Sequence, residues 1–400
     1  MSLTIESLTH LGAGRGDDGT LVPRTLPGEE IALRPDGTAQ ILVPSAQRVS
    51  PPCRHFKTCG GCALQHATDD FVATWKQTVV ERALHAHGLE PVFRPIHTSP
   101  AQSRRRAKFA GRRTKSGAMV GFHARASDVL VAVPECQLVT PALLAGLPML
   151  EALTVIAASR RGEVALTVTD SAAGLDVLVQ TDQPLTDQLR IDLAEFAQTH
   201  GLARLTWVDE TVVTLRDPVQ VFGPATVTPP PGAFLQATAD GEAALREAVS
   251  EIVGDAARVV DLFAGCGTFS LPLSRRSEVL AVEGEAAMVA ALDKGWRAVQ
   301  GAKRVTGLTR DLFRRPLEPD ELKPFDATVI DPPRAGAAAQ VATLANSGIA
   351  RIAMVSCNPV TFARDLATLV AAGFVVDWVQ VVDQFRWSPH VEMVASLTRA

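Results

Sequence analysis

The chain has 400 residues, of which 46% are hydrophobic and 20% are charged, and its formal net charge is −4 at pH 7. A chain of this length and apolar content folds into roughly two or three domains with packed cores, which excludes intrinsic disorder. No stretch approaches about 18 consecutive apolar residues, the length needed to span a membrane, and the first residues lack a secretory signal pattern. The sequence therefore predicts a cytoplasmic protein.

The first part of the chain divides into three predicted segments. Residues 1–50 alternate apolar and polar positions between turns rich in Gly, Pro and Asp, which is typical of a small β-barrel. Residues 51–93 hold three cysteines followed by a helical pattern over residues 71–88. Residues 94–228 combine several strand-like runs with one helical run, which predicts an α+β domain.

A short basic run lies in the third segment. Seven of the twelve residues from 104 to 115 are Lys or Arg, and none is acidic. Such a run is either a solvated strand or loop, or a surface that contacts the phosphates of a nucleic acid. Its basic residues are Arg104, Arg105, Arg106, Lys108, Arg112, Arg113 and Lys115.

Four of the six cysteines form a candidate metal site. Cys53, Cys59 and Cys62 are spaced C-x5-C-x2-C, and Cys136 follows later in the chain. Four cysteine thiolates bind either Zn²⁺ or a [4Fe–4S] cluster. The spacing differs from the paired C-x2-C of a zinc ribbon, and six cysteines in 400 residues are too few for a disulfide scaffold.

Residues 229–400 alternate strands with helices, which predicts an α/β fold with a mostly parallel sheet. A buried strand there leads into a turn that contains Gly265 and Gly267, and the next strand ends at Glu283. An acidic residue about 20 positions after the first strand accepts hydrogen bonds from ribose hydroxyls. The absence of a full G-x-G-x-x-G weighs against NAD and favours an adenosine ligand without phosphates, S-adenosylmethionine above all. The alternative is a structural glycine turn.

Polar residues also follow the later strands of this segment. Asp311, Asp331 and Cys357 each follow a strand, and Glu392 lies near the turn of the last hairpin. In a doubly wound sheet such positions meet at one edge, where ligands bind. A lone cysteine is usually a small core residue, but a thiolate at this edge is placed to attack an electrophilic carbon.

Five motifs together carry a resemblance to a known family. PxCxxFxxCGGCxLQH, DLFAGCGTFSLPL, DPPRAG, VSCNP and PHVE, in this order, resemble those of the S-adenosylmethionine-dependent RNA uracil-5-methyltransferases of bacterial tRNA and 23S rRNA, most closely the iron–sulfur branch. The resemblance implies a class I Rossmann-like methyltransferase domain at 229–400. It also implies a shortened TRAM-like β-barrel at 1–50, an iron–sulfur segment at 51–93 and a central α+β domain at 94–228 that carries Cys136.

The implied activity is methylation of C5 of a specific uridine in structured RNA, with 23S rRNA favoured over tRNA. The implied cofactors are S-adenosylmethionine and a [4Fe–4S] cluster. A monomer is expected, without a DNA or membrane partner. Two alternatives stay open, which are methylation of cytosine C5 by the same thiolate chemistry and an iron–sulfur RNA-binding protein without catalysis.

The resemblance also assigns roles to residues. Cys357 attacks C6 of uracil, Glu392 removes the C5 proton, and Asp331 holds the edge of the uracil near the cofactor, with Arg334 and His390 as supports. The implied cluster ligands are Cys53, Cys59, Cys62 and Cys136. The implied cofactor residues are Gln236, Phe263, Gly265, Thr268, Glu283, Asp311 and Asp331. The basic run from Arg104 to Lys115 becomes the candidate contact for the RNA backbone.

Overall fold

An open antiparallel sheet begins the chain. The computed structural model of the protein describes residues 2–399, and its first five strands pair in the order β3-β2-β1-β4-β5. The strands are β1 (Ser2–Leu8), β2 (Ala13–Gly16), β3 (Leu21–Pro23), β4 (Glu30–Leu33) and β5 (Ala39–Val43). Alternate residues of β1, among them Leu3 and Ile5, pack with Val22 and Ile31. Strands β3 and β5 do not pair, so the predicted small barrel is present as a half-barrel.

A single long helix, α1 (Asp69–His85), follows the cysteine-rich residues and confirms the helical pattern read from the sequence. It begins at Thr68, whose hydroxyl accepts a hydrogen bond from the backbone N–H of Phe71, and two aspartates in its first turn favour the helix dipole. Its buried residues Val80 and Leu84 pack in the core beneath the C-terminal sheet. The short strand β6 (His97–Thr98) comes next.

A seven-stranded mixed sheet forms the central α+β domain, with the strand order β13-β12-β11-β10-β7-β8-β9. Its elements are β7 (Arg106–Arg113), β8 (Ala118–His123), β9 (Leu130–Ala132), α2 (Pro141–Ala145), α3 (Leu147–Ala157), β10 (Glu163–Ser171), β11 (Gly174–Gln180), α4 (Asp187–Thr199), β12 (Arg204–Trp207) and β13 (Glu210–Thr214). Helices α3 and α4 pack on the sheet and enclose one apolar core with it. Strand β9 is an edge strand.

The C-terminal domain begins with the hairpin of β14 and β15 and continues as a doubly wound sheet. Its elements are β14 (Gln220–Phe222), β15 (Ala225–Val227), α5 (Ala239–Val253), β16 (Arg258–Leu262), α6 (Ser270–Leu273), β17 (Glu278–Glu283), α7 (Ala286–Arg297), β18 (Val305–Thr309), α8 (Pro319–Leu322), β19 (Ala327–Ile330), α9 (Ala338–Ala345), β20 (Arg351–Ser356), α10 (Pro359–Ala371), β21 (Val375–Asp383) and β22 (Glu392–Thr398). The sheet order is β18-β17-β16-β19-β20-β22-β21-β6.

The pairing of this sheet determines where its functional side chains meet. Strands β16 to β20 are parallel, whereas β22 runs antiparallel to both β20 and β21. Both faces are covered, since Val259 belongs to one apolar core and Val260 to the other. The chain moves outward from β16 to β18 and then returns to β19, which makes the ends of β16 and β19 a topological switch point. This arrangement confirms the predicted α/β fold. No helix within residues 2–399 is long and apolar enough to cross a membrane.

Candidate active site

The end of β20 brings Cys357 next to Glu392. Strands β20 and β22 pair Ser356 with Met393, and continuing this register by one position beyond the end of β20 places Cys357 opposite Glu392. Glu392 is 3% exposed, whereas Cys357 is partly exposed at the edge of the sheet. An accessible thiol beside a buried carboxyl group suits a nucleophile that works with a proton acceptor.

Two buried amide side chains connect Glu392 to Asp331, which directly follows β19. The Nε2 group of Gln236 donates to Oδ2 of Asp331 at 3.3 Å. The Nε2 group of Gln384 donates to Oε1 of Gln236 at 2.5 Å and to Oε2 of Glu392 at 3.3 Å. The Oε1 atom of Gln384 accepts from the backbone N–H of Thr238 at 3.4 Å. The amides therefore fix the relative orientation of the two carboxyl groups.

Burial and mutual repulsion shift the protonation of these groups. Burial raises the pKa of the Cys357 thiol to about 11, and the charges of Glu392 and Asp331 add to this effect. Burial raises the pKa of Asp331 to about 7, with a further contribution from the charge of Asp261. Burial and the charge of Asp331 also raise the pKa of Glu392 well above its ordinary value. Carboxyl groups with raised pKa values are suited to proton transfer near neutral pH.

The loops after β19 and β20 are tied to each other. The amide of Asn358 donates to the carbonyl oxygen of Arg334 at 2.8 Å, and its Oδ1 atom accepts from Val360 N–H at 3.1 Å to cap α10. Gly336 has a φ of +74°, and a Cβ there would lie 2.7 Å from a carboxylate oxygen of the buried Asp365. The DPPRAG loop therefore requires glycine at this position. The Arg334 side chain stays exposed beside the thiol.

A second group of side chains lies at the ends of β16, β17 and β18. Phe263 and Gly265 both have positive φ values, and the Glu283 carboxylate accepts the backbone N–H groups of Gly265 at 3.0 Å and Glu285 at 2.9 Å. A Cβ on Gly265 would meet no atom within 4 Å, so the turn faces open space. The ring of Phe263 lies 5.5 Å from that of Phe313.

The remaining predicted cofactor residues border the same space. Asp311 is exposed after β18, and its Oδ1 atom accepts from the N–H of Phe313 at 2.9 Å. Thr268 is half-buried and follows the glycine turn that ends β16. Asp331 and Gln236 lie between this group and Glu392, because β19 is adjacent to β16. The open turn at Gly265, the Glu283 carboxylate that accepts its N–H and the Asp311 carboxylate after β18 form the part that we call the cradle, and such carboxylates accept hydrogen bonds from the hydroxyls and amino group of an adenosine moiety.

Two residues of the site were not predicted from the sequence. Gln384 follows β21 directly and bridges Gln236 to Glu392. Asp261 is fully buried in β16, where it accepts a hydrogen bond from Ser270 Oγ at 2.6 Å, and burial raises its pKa to about 7. A polar residue directly after the penultimate strand was the available signal for Gln384.

The four predicted cluster cysteines line one small cavity, together with apolar side chains, His55 and Gln65. Its cysteines are Cys53, Cys59, Cys62 and Cys136. Two sulfur atoms accept backbone hydrogen bonds, from Gly61 N–H to Cys59 at 3.4 Å and from Leu138 N–H to Cys136 at 3.5 Å. Within residues 2–399 no group of three or more His, Cys, Asp or Glu side chains is arranged to hold a metal ion. The thiols thus share a cavity without forming a closed set of ligands.

The cysteine-rich segment contacts the loop that precedes Glu392. The backbone N–H groups of Ala63 and Leu64 both donate to the carbonyl oxygen of Trp387, at 2.8 and 3.0 Å. From α1, the fully buried Lys76 donates to Asp383 at 2.5 Å and to the Phe385 carbonyl at 3.0 Å. The loop that leads to His390 and Glu392 is therefore held by residues from far earlier in the chain. His390 is exposed as a whole residue, but neighbouring atoms partly desolvate its ring, which lowers its pKa, and the charge of Arg334 adds to this effect.

The basic run is only partly a surface. Strand β7 alternates its side chains between two faces, and Arg105, just before it, is buried, ion-paired with Glu242 and donates to the Gln236 carbonyl at 3.1 Å. The Arg105 guanidinium therefore supports Gln236 from inside and offers little surface to an RNA phosphate, and RNA contact by the basic run stays a prediction. Lys108, Arg113 and Lys115 are exposed, and Arg104, Arg106 and Arg112 are half-buried.

Known proteins resemble this chain over its whole length. The family profile described as tRNA (Uracil-5-)-methyltransferase matches residues 309–400. A protein of Brucella suis biovar 1 named uncharacterized RNA methyltransferase is 42% identical, over 99% of this chain and 97% of its own. The 23S rRNA (uracil(1939)-C(5))-methyltransferase RlmD of Halomonas elongata is 33% identical, over 99% of this chain and 89% of its own.

A solved structure shares the fold. The crystal structure of Pyrococcus abyssi tRNA (uracil-54, C5)-methyltransferase in complex with S-adenosyl-L-homocysteine superposes with a TM-score of 0.78 at 22% identity. The match covers 100% of this chain and 99% of that one. This likeness shows the shared fold, and the sequence relatives confirm the resemblance to RNA uracil-5-methyltransferases, whereas membership of the iron–sulfur branch stays a prediction. The chain belongs to the S-adenosylmethionine-dependent RNA (uracil-5-)methyltransferase family.

Proposed function

We propose that this protein methylates C5 of a uridine in structured RNA, with Cys357 as nucleophile and Glu392 as base. The observation that carries the proposal is the strand register that sets Cys357 opposite Glu392, beside Asp331. C5 of uracil is a weak nucleophile, and covalent addition at C6 turns it into an enolate-like carbon. S-adenosylmethionine, when bound, supplies an electrophilic methyl group.

The side chains of this chain account for the other steps. The Cys357 thiolate forms a bond to C6, which makes C5 carry the electron pair that accepts the methyl group. Glu392 then takes the proton from C5, and the electrons of that C–H bond expel the thiolate as the Sγ–C6 bond breaks. Asp331 holds the edge of the uracil, and Gln384 orients the Glu392 carboxylate.

Cofactor binding is assigned to the cradle at the ends of β16, β17 and β18. In this proposal Glu283 accepts hydrogen bonds from the ribose hydroxyls, Asp311 binds the adenine end, and Phe263, Gly265 and Thr268 line the turn; the open space at Gly265 and its hydrogen bond to Glu283 support this assignment. Gln236 and Asp331 border the side toward Cys357.

Replacing Glu283 by Gln is expected to weaken the binding of S-adenosylhomocysteine by about 10–100-fold. A hydrogen bond to a charged group contributes about 1.5–3 kcal/mol, and the carboxylate also holds the N–H of Gly265. Isothermal titration of the purified protein measures the effect. Glu285→Gln is the matched control, because Glu285 is exposed and contributes only its backbone N–H to Glu283. Equal affinities of the two variants would contradict the assignment.

The target proposed is 23S rRNA. The relative named a 23S rRNA methyltransferase covers nearly the whole chain at 33% identity, whereas the tRNA enzyme shares the fold at 22% identity. Nucleoside mass spectrometry of rRNA and tRNA from cells with and without the gene tests both the reaction and the target RNA. Loss of 5-methyluridine from rRNA supports the proposal, and loss from tRNA alone changes the target. Loss of 5-methylcytidine would instead restore the cytosine alternative, and unchanged nucleosides would favour an RNA-binding protein without catalysis.

We assign the four clustered cysteines to a [4Fe–4S] cluster with a structural role. The thiols share one cavity, and the same segment donates two hydrogen bonds to Trp387 in the loop before Glu392. A bound cluster would supply four thiolate–iron bonds that tie this segment to the central domain through Cys136.

Protein purified without oxygen is expected to contain about four iron atoms and four sulfides per chain. Cys62→Ser is expected to lose most of this iron, because it removes one of the four thiolates. Iron and sulfide analysis with visible absorbance measures the content, and Cys266→Ser, whose side chain packs in a separate core, is the matched control. About one zinc ion per chain in place of iron would assign the site to Zn²⁺.

A further inference from the structure

A groove of about 530 Å³ lies outside the candidate active site, along the edge of the central sheet. Most of its lining is apolar, and we call these side chains the floor. Three cationic side chains from three separate parts of the chain also line it, and we call them the rim; Thr58 and Ser127 complete the lining. Arg24 lies between β3 and β4, Lys57 in the cysteine-rich segment, and Arg125 in the turn between β8 and β9. No acidic residue is among the side chains that line the groove.

The positive charges of this rim are not neutralised by neighbouring carboxylates. Within the described residues, none of Arg24, Lys57 and Arg125 forms an ion pair. Arg24 and Arg125 line the same groove, and the pKa of Arg24 is lowered by burial and by the positive charge of Arg125. Folding alone does not favour such a cluster, whereas an anionic ligand does.

Arg24 is also held in an unfavourable backbone conformation. Its φ is +61°, in the left-handed region that favours glycine. Its carbonyl oxygen accepts a hydrogen bond from Arg48 at 2.9 Å, and Arg48 is anchored by the buried Glu29. Its guanidinium lies 5.6 Å from the centre of the Phe56 ring. Glycine would be less strained at this position, so the presence of arginine suggests that its side chain has a function.

The apolar floor of the groove suits a flat apolar group and does not suit a phosphate. Met119, Val129 and Val131 line it, and Val129 is 62% exposed. Strand β9 is the edge of its sheet, so the N–H and C=O groups on its outer side are not paired with another strand of residues 2–399. An apolar surface, free backbone groups and a cationic rim match the base, the polar base edge and the phosphates of an unpaired nucleotide.

We propose that this groove binds a single-stranded segment of the RNA substrate, with its phosphates on Arg24, Lys57 and Arg125 and a base on the apolar floor. The identification of the anion as RNA rests on the proposed function. The groove contains none of the residues assigned to catalysis or to the cofactor, so it contributes to RNA affinity and not to the chemical step.

Binding of poly(U) to the purified full chain, measured at several salt concentrations, tests this inference. Arg24→Ala, Lys57→Ala and Arg125→Ala are each expected to weaken binding and to reduce the slope of log K against log salt by about 0.7, the value for one lost phosphate contact. Arg160→Ala is the matched control, an exposed arginine outside the groove. With an unmethylated RNA that the wild-type chain methylates, the groove variants are expected to raise KM and leave kcat unchanged.

Arg24→Gly separates a binding role from a structural one. Glycine relieves the positive φ, so this variant is expected to melt at the same or a higher temperature while it binds poly(U) more weakly. Groove variants that keep the affinity and salt slope of Arg160→Ala would overturn the inference, as would a wild-type chain that does not bind poly(U). Equal competition by polyglutamate would make the groove a general anion site. A chain that binds poly(U) through the groove but methylates no RNA would refute the proposed function alone.

Discussion

Replacing Cys357 by Ala is expected to reduce methyl transfer by about 10⁴-fold or more while cofactor binding is kept. Without the thiolate nothing adds to C6, and the unactivated C5 is too weak a nucleophile to take the methyl group. The thiol lies partly exposed at the end of β20, so its removal leaves no large cavity in the core. Transfer of radiolabelled methyl groups to RNA measures the effect.

The control for this prediction is the affinity for S-adenosylhomocysteine, which the Cys357→Ala variant should share with the wild type. The cradle around Gly265 and Glu283 makes no hydrogen bond to Cys357, so a nucleophile variant leaves it intact. Cys357→Ser is expected to be inactive as well, because a hydroxyl is far less acidic than a thiol. Normal methylation by either variant would exclude covalent catalysis by this residue.

Much of the C-terminal domain could be predicted because its signals are local. The buried strands are short apolar runs, and two of them are followed directly by the reactive residues Asp331 and Cys357. Parallel pairing then brings these positions to one edge whatever the details of packing. The pairing of β20 with β22, which sets Cys357 opposite Glu392, needed the register that only the structure gives.

The side-chain network could not be predicted, because its members are distant in sequence. Gln236 and Gln384 are separated by 148 residues and meet only when the segment before α5 lies against the end of β21. The same holds for Lys76 of α1, which bonds to Asp383 across 307 residues. A helical pattern reveals which face of α1 is apolar, but not which domain that face joins.

The basic run from Arg104 to Lys115 shows why a continuous surface could not be predicted from composition alone. Seven basic residues in twelve resemble a continuous patch, but a strand directs alternate side chains to opposite faces, and the segment just before β7 buries Arg105. The cationic groove found in the structure combines Arg24, Lys57 and Arg125 from three segments, none of which is basic enough to stand out in the sequence.

Replacing Glu392 by Gln is expected to trap a covalent adduct between Cys357 and methylated RNA, while turnover falls by about 10²–10⁴-fold. The base acts after C6 addition and methyl transfer, so its loss stops the reaction before the Sγ–C6 bond breaks. The Oε1 atom of the new amide still accepts the hydrogen bond from Gln384, so the fold is kept. A band of protein and RNA that survives denaturing electrophoresis measures the adduct.

The pH dependence of Cys357 alkylation gives an independent measurement on the same variant. Burial and the charges of Glu392 and Asp331 raise the pKa of the thiol to about 11, and the charge of Arg334 opposes them. A raised pKa means that the thiolate is scarce at neutral pH and increases as the pH rises. Removing the charge of Glu392 is therefore expected to shift the alkylation profile to lower pH, and Asp331→Asn is expected to shift it in the same direction.

The two measurements together distinguish a base from a residue that only orients the thiol. If Glu392 is the base, Cys357 in the Glu392→Gln variant is alkylated at lower pH and the variant also accumulates the covalent adduct with RNA. The double variant with Cys357→Ala must then form no adduct. If Glu392 instead served to position Cys357, the variant would turn over slowly with no adduct, because the first bond would form too rarely. Slow turnover without an adduct would thus move Glu392 to the first step and leave the removal of the C5 proton to another group, for which Asp331, with its pKa of about 7, is the nearest carboxyl group in the hydrogen-bond chain.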